Sequence, residues 1–208
     1  MADPGFAFGL AGAESTMQLL QDYLLNASFD TTDANLIRLK ITEAASTVLK
    51  PEYDRVISLL PGATANDLPL GAALIGIYIG DQPHLFELAG NGLVTDHHVR
   101  SFAAIGAGTP FAEHAATIFR DLPVGMTLHQ AKMLAFRMVQ DAIQAAGPNI
   151  PVGGRVQMAT LSPGQPPIST LLQPDDPALK DAVDGWTGTE AMRFHEHLPL
   201  GEDSPPPT

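Results

Sequence analysis

The sequence predicts an α+β domain in which helices and strands form separate runs along the chain. One strand is followed by two or three helices, then by several strands, two helices and a last pair of strands. The helical segments carry apolar residues at three- and four-residue steps, whereas the strand segments are short apolar runs bounded by Gly, Pro or Asn. Strict alternation of strand and helix, which would indicate a parallel sheet, is missing from this order. Strands lying between two helix groups would fit a helix–sheet–sheet–helix sandwich.

The first third of the chain predicts one strand and a long helical region. A short apolar run at 6–12 ends in glycine and predicts a buried strand that enters a turn. A helix is predicted over 13–27, and a second helix follows N-cap candidates at 31–33. Pro51 is predicted to interrupt the second helix and to begin a new one that ends near residue 60. The predicted inward-facing residues are Met17, Leu20, Leu24, Ala27, Ile37, Ile41, Ala45 and Val48.

The middle of the chain predicts a sheet. An apolar, β-branched run at 72–79 and a second run at 84–88 flank the turn residues Gly80-Asp81-Gln82-Pro83, which predicts a hairpin. Asn91-Gly92 indicates another tight turn. A further strand is predicted over 101–105, and the glycines that follow at 106 and 108 are expected to end it.

The last part of the chain predicts two helices and two strands within a single domain that spans residues 1–200. The helices are predicted over 110–121 and 127–146, the second with Thr127 as its cap and with Leu128, Ala131, Ala135, Met138, Ala142 and Ile143 facing inward. Strands at 155–161 and 168–172 close the fold. A C-terminal extension occupies 174–200 with a short helix near 191–197, and 201–208, with three consecutive prolines, is expected to be disordered.

The composition excludes several classes of function. Lys and Arg total 11 against 23 Asp and Glu, so the net charge of −12 argues against nucleic acid or an anionic membrane as a partner. The chain has no cysteine, which excludes disulfides, cysteine-ligated zinc and a thiol nucleophile. Because no apolar run reaches the roughly 18 residues of a membrane span, and the N-terminus lacks a basic secretory region, we expect a cytoplasmic protein.

The chemical motifs are weak when each is taken alone. Gly106-Ala107-Gly108 could open a phosphate-binding loop, but Phe111 stands where the third glycine of that loop would be. The pairs His97-His98 and His195-Glu196-His197 lack the i, i+4 spacing of helical zinc ligands. We therefore expect no cofactor and no metal. No G-x-S-x-G motif marks a serine nucleophile, although Ser, His and Asp are all present and leave a triad open.

Several segments together resemble the proteasome β-type subunits, which are N-terminal-nucleophile hydrolases. The likeness covers roughly residues 6–200. The strand and turn at 8–13 resemble the strand that leads into the family's first helix, and 103–112 resembles its A-I-G-S-G-x-P-Y/F-A turn. The segments 126–131 and 153–158 are similar to its M-T/S-L-E-E-A and G-G-x-I-D-V motifs. The C-terminal part resembles the extension of the bacterial Anbu-type proteasome homologue at Asp175-Asp176-Pro177, Trp186, Phe194 and Leu198-Pro199.

The resemblance implies an αββα four-layer sandwich that lacks its first strands, assembled into rings or open helical arcs. In the family an N-terminal threonine or serine is the nucleophile, its α-amine is the base, and a nearby lysine tunes that amine. These groups would precede the segment that begins at Phe6, so we expect this chain to contain no catalytic residue. The implied substrate class is a polypeptide.

Internal positions also depart from the family. The turn Gly106–Ala107–Gly108 would lie beside the family's site, and Ala107 replaces the serine of its G-S-G turn. Asn149 and Val152 stand where many β subunits carry an aspartate and a serine. Alanine and valine side chains cannot donate or accept the hydrogen bonds that orient an attacking amine and hydroxyl. We interpret these as vacated polar positions.

Three functions remain open. The first is a catalytically inactive, proteasome-like subunit of a self-assembling complex linked to protein degradation. The second is an active self-compartmentalising threonine or serine peptidase whose start is mis-assigned. The third is an unrelated α+β ligand-binding module. Ala107 and Val152 favour the first, because a wrong start would not change internal residues.

The helices at 110–121 and 127–146 predict a homo-oligomer. Charged residues make up 16% of the chain, below the usual share of about 25%. Apolar residues on these helices spread wider than the single stripe that a helix buries against its own sheet. Met133 and Phe136 lie off the predicted inward line, so we expect them at or near a contact between subunits.

Overall fold

The structure, a computed structural model, describes residues 5–27, 29, 33–60, 71–97, 102–117, 128–146, 156–163 and 167–172. Helices and antiparallel strands are both present, which confirms the α+β prediction. No helix in these ranges is long and apolar enough to cross a bilayer. The elements are β1 (Phe6–Ala11), α1 (Glu14–Asn26), α2 (Ala34–Ala44), α3 (Lys50–Leu59), β2 (Ala72–Ile79), β3 (Gln82–Leu88), β4 (Val94–Asp96), α4 (Thr109–Thr117), α5 (Leu128–Ala146), β5 (Val156–Thr160) and β6 (Ile168–Leu172).

The described strands form two antiparallel sheets. The first has the order β1-β2-β3-β4, and the second pairs β5 with β6. In the first sheet Phe6 lies opposite Ile77 and Ala11 opposite Ala72, so β1 and β2 pair over the full length of β1. The predicted hairpin between β2 and β3 is confirmed, and β3 begins two residues earlier than predicted, at Gln82.

One face of the first sheet forms the hydrophobic core with the helices α1 and α2. Side chains alternate strictly along β2, because successive residues of a strand point to opposite faces. The odd-numbered residues of β2 are buried, and they pack with the buried stripes of α1 and α2, as the helical periodicity predicted. The central members of this core are Leu20, Leu24, Ile37, Ile41, Ala73, Ile75, Ile77, Phe86 and Leu88.

The predicted new helix at Pro51 is confirmed, since α3 begins at Lys50, but the predicted interruption before it is wrong, because helical turns continue from α2 into α3. Between α2 and α3 the chain makes a π-helical turn at Ala45–Leu49, in which the Lys50 N–H donates to the Ala45 carbonyl. Pro51 then lies in the first turn of α3. A proline has no N–H to donate and its ring crowds the preceding turn, and a wider turn relieves both problems without ending the helix.

The strand predicted over 101–105 is also not found, since residues 102–105 have no regular structure. The fourth strand of the sheet is β4 instead, which follows the turn at Asn91-Gly92. The Asn91 side chain accepts a hydrogen bond from the Leu93 N–H, and Gly92 has a φ of +85°. This turn returns the chain onto β3 at once. A strand of three residues is too short to show a periodic pattern.

The second face of the first sheet is approached by the segment after β5. Gly76 has no side chain, and a Cβ placed there would lie 3.0 Å from the Leu161 Cδ1. Leu161 thus occupies the space above Gly76. The helix α5 contacts both β5 and α4, so the second helix pair is associated with the second sheet.

The predicted inward line of α5 is confirmed in its second half, where Met138 and Ala142 are buried, and is wrong in its first half, where Leu128 is exposed. Phe136 is only 3% exposed within a single chain, so the expectation that it lies on an outer surface is wrong. Leu134 and Met138 are buried with it, whereas Ala131 and Ala135 are exposed. Both faces of α5 are apolar, and periodicity alone does not distinguish them; the bulky side chains fill the space against the neighbouring elements.

Several predictions fall on residues outside the described ranges. They include the cap at Thr127, the vacated positions Asn149 and Val152, the extension at 174–200 and the tail at 201–208. The side chain of Met133 also lies outside the description, although its backbone is part of α5.

Adjacent leucines on α1 give a direct test of this core. Leu20 is fully buried, whereas Leu19 is 63% exposed. We expect Leu20→Ala to lower the free energy of unfolding by about 2–5 kcal/mol, because it removes transfer energy and leaves a cavity. Leu19→Ala is the control and should change it by no more than about 0.5 kcal/mol. Urea denaturation of both variants measures the difference, and equal losses would contradict the core described here.

Candidate functional site

The turn Gly106–Ala107–Gly108 leads directly into α4. The Thr109 N–H donates to the Gly106 carbonyl at 3.1 Å, and the Ala112 N–H donates to the Gly108 carbonyl at 3.0 Å. Gly106 has a φ of +88°, in the left-handed region that non-glycine residues rarely adopt. The turn therefore precedes a helix, as predicted, but it follows irregular chain rather than a strand.

This turn lies against the end of β1. A Cβ placed on Gly106 would be 3.0 Å from the Cβ of Ala11, so a side chain here would crowd the end of β1. Ala107 is exposed beside this contact. Gly106, Ala107 and Ala11 offer only methyl groups and backbone amides at this contact. They can shape a surface or donate a backbone hydrogen bond, but their side chains cannot transfer a proton or attack a carbonyl.

Two histidine–carboxylate pairs join β3 to β4, and sequence reasoning missed both. The His97 Nε2 lies 2.7 Å from the Glu87 Oε2, and the His84 Nδ1 lies 3.2 Å from the Asp96 Oδ2. Asp96 lies opposite Phe86, which places the second pair on the core side, where the His84 ring stacks on the Phe86 ring at 5.8 Å. The Glu87–His97 pair lies on the other side of the sheet.

The Glu87–His97 pair has the base half of a catalytic triad but not the nucleophile. Among the described residues, no hydroxyl side chain hydrogen-bonds to the His97 ring, which is 7% exposed. The described residues also include no group of three His, Asp or Glu side chains that could hold a metal ion. We interpret both pairs as links that hold a three-residue edge strand in the sheet. The register counted from the Asn91-Gly92 turn could have revealed them.

An open groove of about 960 Å³ lies between α1 and the helical region 40–55. Leu19, Tyr23 and Val48 are among its lining residues, and Glu52 and Arg55 form an ion pair at one end, with Arg55 Nη2 2.6 Å from Glu52 Oε1. The hydrogen bond from Arg55 lowers the pKa of the exposed Glu52 carboxyl. The groove shares no residue with the turn at 106–108, so this groove and the predicted site are separate.

Comparisons with known proteins give a structural match and no sequence match. No protein-family model matches the chain, and no curated protein matches it. Its structure is similar to that reported as the helical assembly of the Anbu complex from Pseudomonas aeruginosa, with a TM-score of 0.60 and 18% identity over 99% of this chain and 82% of that one. The chain has an Anbu-like fold.

Two further solved structures agree with this assignment of fold. A Gly-1 mutant of Anbu from Hyphomicrobium sp. strain MC1 matches with a TM-score of 0.55 and 16% identity, over 93% of this chain and 80% of that chain. Anbu from the same organism matches with a TM-score of 0.54 and 15% identity, over 96% and 83%. The Anbu-like fold supports the resemblance noted in the sequence.

The strained turn gives a second prediction. We expect Gly106→Ala to destabilise the protein by about 1–3 kcal/mol, because alanine disfavours a positive φ and its Cβ would crowd Ala11. Gly9→Ala is the matched control, since a Cβ on Gly9 meets nothing within 4 Å and its φ is not positive. Urea denaturation compares the two variants. A loss for Gly106→Ala no larger than that for Gly9→Ala would show that the turn does not require glycine.

Proposed function

We propose that this chain is a proteasome-like subunit of the Anbu type, that it self-assembles, and that it is catalytically inactive and linked to protein degradation. The observation that carries this proposal is the Anbu-like fold, which extends over 99% of the chain. The sequence supports it independently, since four motifs follow one another in the order found in the proteasome β-type subunits. They lie at 8–13, 103–112, 126–131 and 153–158.

The proposed architecture is the αββα four-layer sandwich of the N-terminal-nucleophile hydrolases. The helices α1 and α2 cover one face of the first sheet with the core described above. The Leu161–Gly76 approach supports a second sheet on the opposite face, and the contacts of α5 with β5 support an outer helix layer beyond it. Four layers in this order agree with the segment order along the chain.

The proposed lack of catalysis rests on the chemistry of the turn beside β1. In the family the equivalent turn carries a serine, and here the exposed Ala107 occupies that position between two glycines. Gly106 meets the methyl group of Ala11, and neither residue offers a side chain that can orient an attacking group. Asn149 and Val152, which stand at two further polar positions of the family, point in the same direction.

We expect the purified chain not to cleave fluorogenic peptides above the rate of a protein-free blank. An active threonine peptidase of the proteasome type is the positive control. Intact-mass measurement after treatment with an inhibitor directed at N-terminal threonine should show no adduct. Peptide turnover that this inhibitor abolishes, together with a mass adduct, would favour the active peptidase instead.

The proposed self-assembly uses an exposed apolar stripe on α5. Leu128, Ala131, Ala135 and Val139 recur at steps of three and four residues, and all four are exposed in the single chain. Their small and aliphatic side chains would let another helix approach closely. The sequence predicted the contact at Met133 and Phe136. Because Phe136 is buried, we place the proposed contact on a different side of the same helix.

A charge placed in this stripe tests the assembly. We expect Ala135→Glu to shift the particle to smaller species, because the assembled state would bury an uncompensated carboxylate. Gln144→Glu adds the same charge to an exposed position about 180° around the helix, at 100° per residue, and should leave the assembly unchanged. Sedimentation velocity measures both. A monomeric unmutated chain, or equal behaviour of the two variants, would contradict assembly through this stripe.

A further inference from the structure

The two edges of the first sheet are built differently. The β4 edge has three residues, and two histidine–carboxylate pairs lie beside it. Short length and charged side chains are the features with which proteins prevent an edge strand from pairing with another chain. The β1 edge has six residues and none of these features: its sequence, Phe-Ala-Phe-Gly-Leu-Ala, has no charge, no proline and no polar side chain.

The core is also less well covered on the β1 side. The inward-facing residues of β2 are at most 1% exposed at Ala73, Ile75 and Ile77. Their neighbours on β1, Phe6 and Phe8, are only half-buried, although both pack against the same core. The Phe6 ring contacts Phe8 at 5.9 Å and Phe29 at 4.8 Å, so an aromatic cluster ends at this edge.

We propose that β1 pairs edge to edge, in antiparallel orientation, with β1 of a second copy of this chain. Among the described residues, β2 is the one strand that pairs with β1, and no described strand lies on the other side of β1. An antiparallel pair of identical strands is self-complementary about a two-fold axis, which gives a closed dimer rather than an open chain of copies.

The side-chain pattern of β1 fits pairing with β1 of a second copy. Phe6, Phe8 and Leu10 face the helices, and the small residues Ala7 and Gly9 face the other way. With the two-fold axis at Phe8, Phe6 lies opposite Leu10 of the second copy and Ala7 lies opposite Gly9. Opposite residues of an antiparallel pair point to the same face. Large apolar side chains would therefore continue the core layer across the axis, and small ones would meet on the other face.

Charge favours the same contact. The chain has a net charge of −12, so most pairs of surfaces from two copies repel each other. The β1 strand carries no charged side chain and lets two copies approach with little repulsion. This contact does not involve α5.

Single-cysteine variants test the contact directly, because the chain has no cysteine of its own. Chains with Ala7→Cys and chains with Gly9→Cys are mixed and oxidised with a mild catalyst. Positions 7 and 9 lie directly opposite in the proposed pair, within the Cα distance that a disulfide spans. Either variant alone should cross-link much more slowly, because identical positions lie on the diagonal, about 7–8 Å apart.

A matched control uses Gln82→Cys, which places a thiol at the exposed start of β3, where φ is not positive. We expect at least a tenfold faster cross-link for the mixture of Ala7→Cys with Gly9→Cys than for Gln82→Cys with Gly9→Cys. Ala135→Glu in both partners should not change this ratio, which separates the β1 contact from assembly through α5. Equal rates in the two mixtures would overturn the proposal.

A measurement on the unmutated chain guards against cysteine variants that fail to fold. Hydrogen exchange of the β1 amides should slow as the concentration rises from low to high micromolar, because the outer backbone groups become hydrogen-bonded in the dimer. Amides of the fully internal strand β2 serve as the reference and should not change. Exchange at β1 that is independent of concentration would also overturn the proposal.

Discussion

The packing of α1 and α2 on the β2–β3 hairpin is the interaction on which the rest of the structure depends. It joins residues that are far apart in sequence, such as Leu20 and Ile37 with Ile75 and Phe86, into one buried cluster. Because only one face of each strand meets these helices, the cluster also fixes the register of the sheet: a slip of one residue would turn every isoleucine of β2 to the other face. The π-helical turn before Pro51 keeps α2 and α3 continuous beside this core.

Small residues determine how closely the other parts of the chain approach the sheet. Gly76 admits Leu161 to its second face, and Gly106 admits the turn before α4 to Ala11. These small residues cannot take part in a reaction through their side chains, because glycine and alanine provide no side-chain donor, acceptor or nucleophile. In this Anbu-like fold, small residues therefore form both of these contacts. At Gly76 and Gly106 the described structure shows close contacts between segments of the chain.

The sequence predicts those elements whose residues show one clear apolar face. The stripe of Met17, Leu20 and Leu24 and the β-branched run of β2 have a single interpretation, and both were predicted. The α5 helix has two apolar faces, and only its neighbours decide that Phe136 turns inward while Ala135 turns outward. The β4 strand is too short to be recognised, and the histidine–carboxylate pairs beside it depend on a register that the strand itself defines. Glycine at 106 predicted the turn, but its contact with Ala11 joins two segments distant in the sequence.

The surfaces left apolar by this fold are unequal, and the difference bears on how copies of the chain would meet. The α5 stripe consists mainly of small side chains on a rigid helix, which suits close helix packing. The β1 edge offers backbone hydrogen bonds together with large aromatic side chains, which suits extension of the sheet. Because the chain is acidic, these two surfaces, whose own residues are uncharged, would let copies approach with less repulsion than charged surfaces would. Two contacts on different elements can act together: a two-fold pair closes on itself, whereas a second, independent contact can join such pairs into a larger particle.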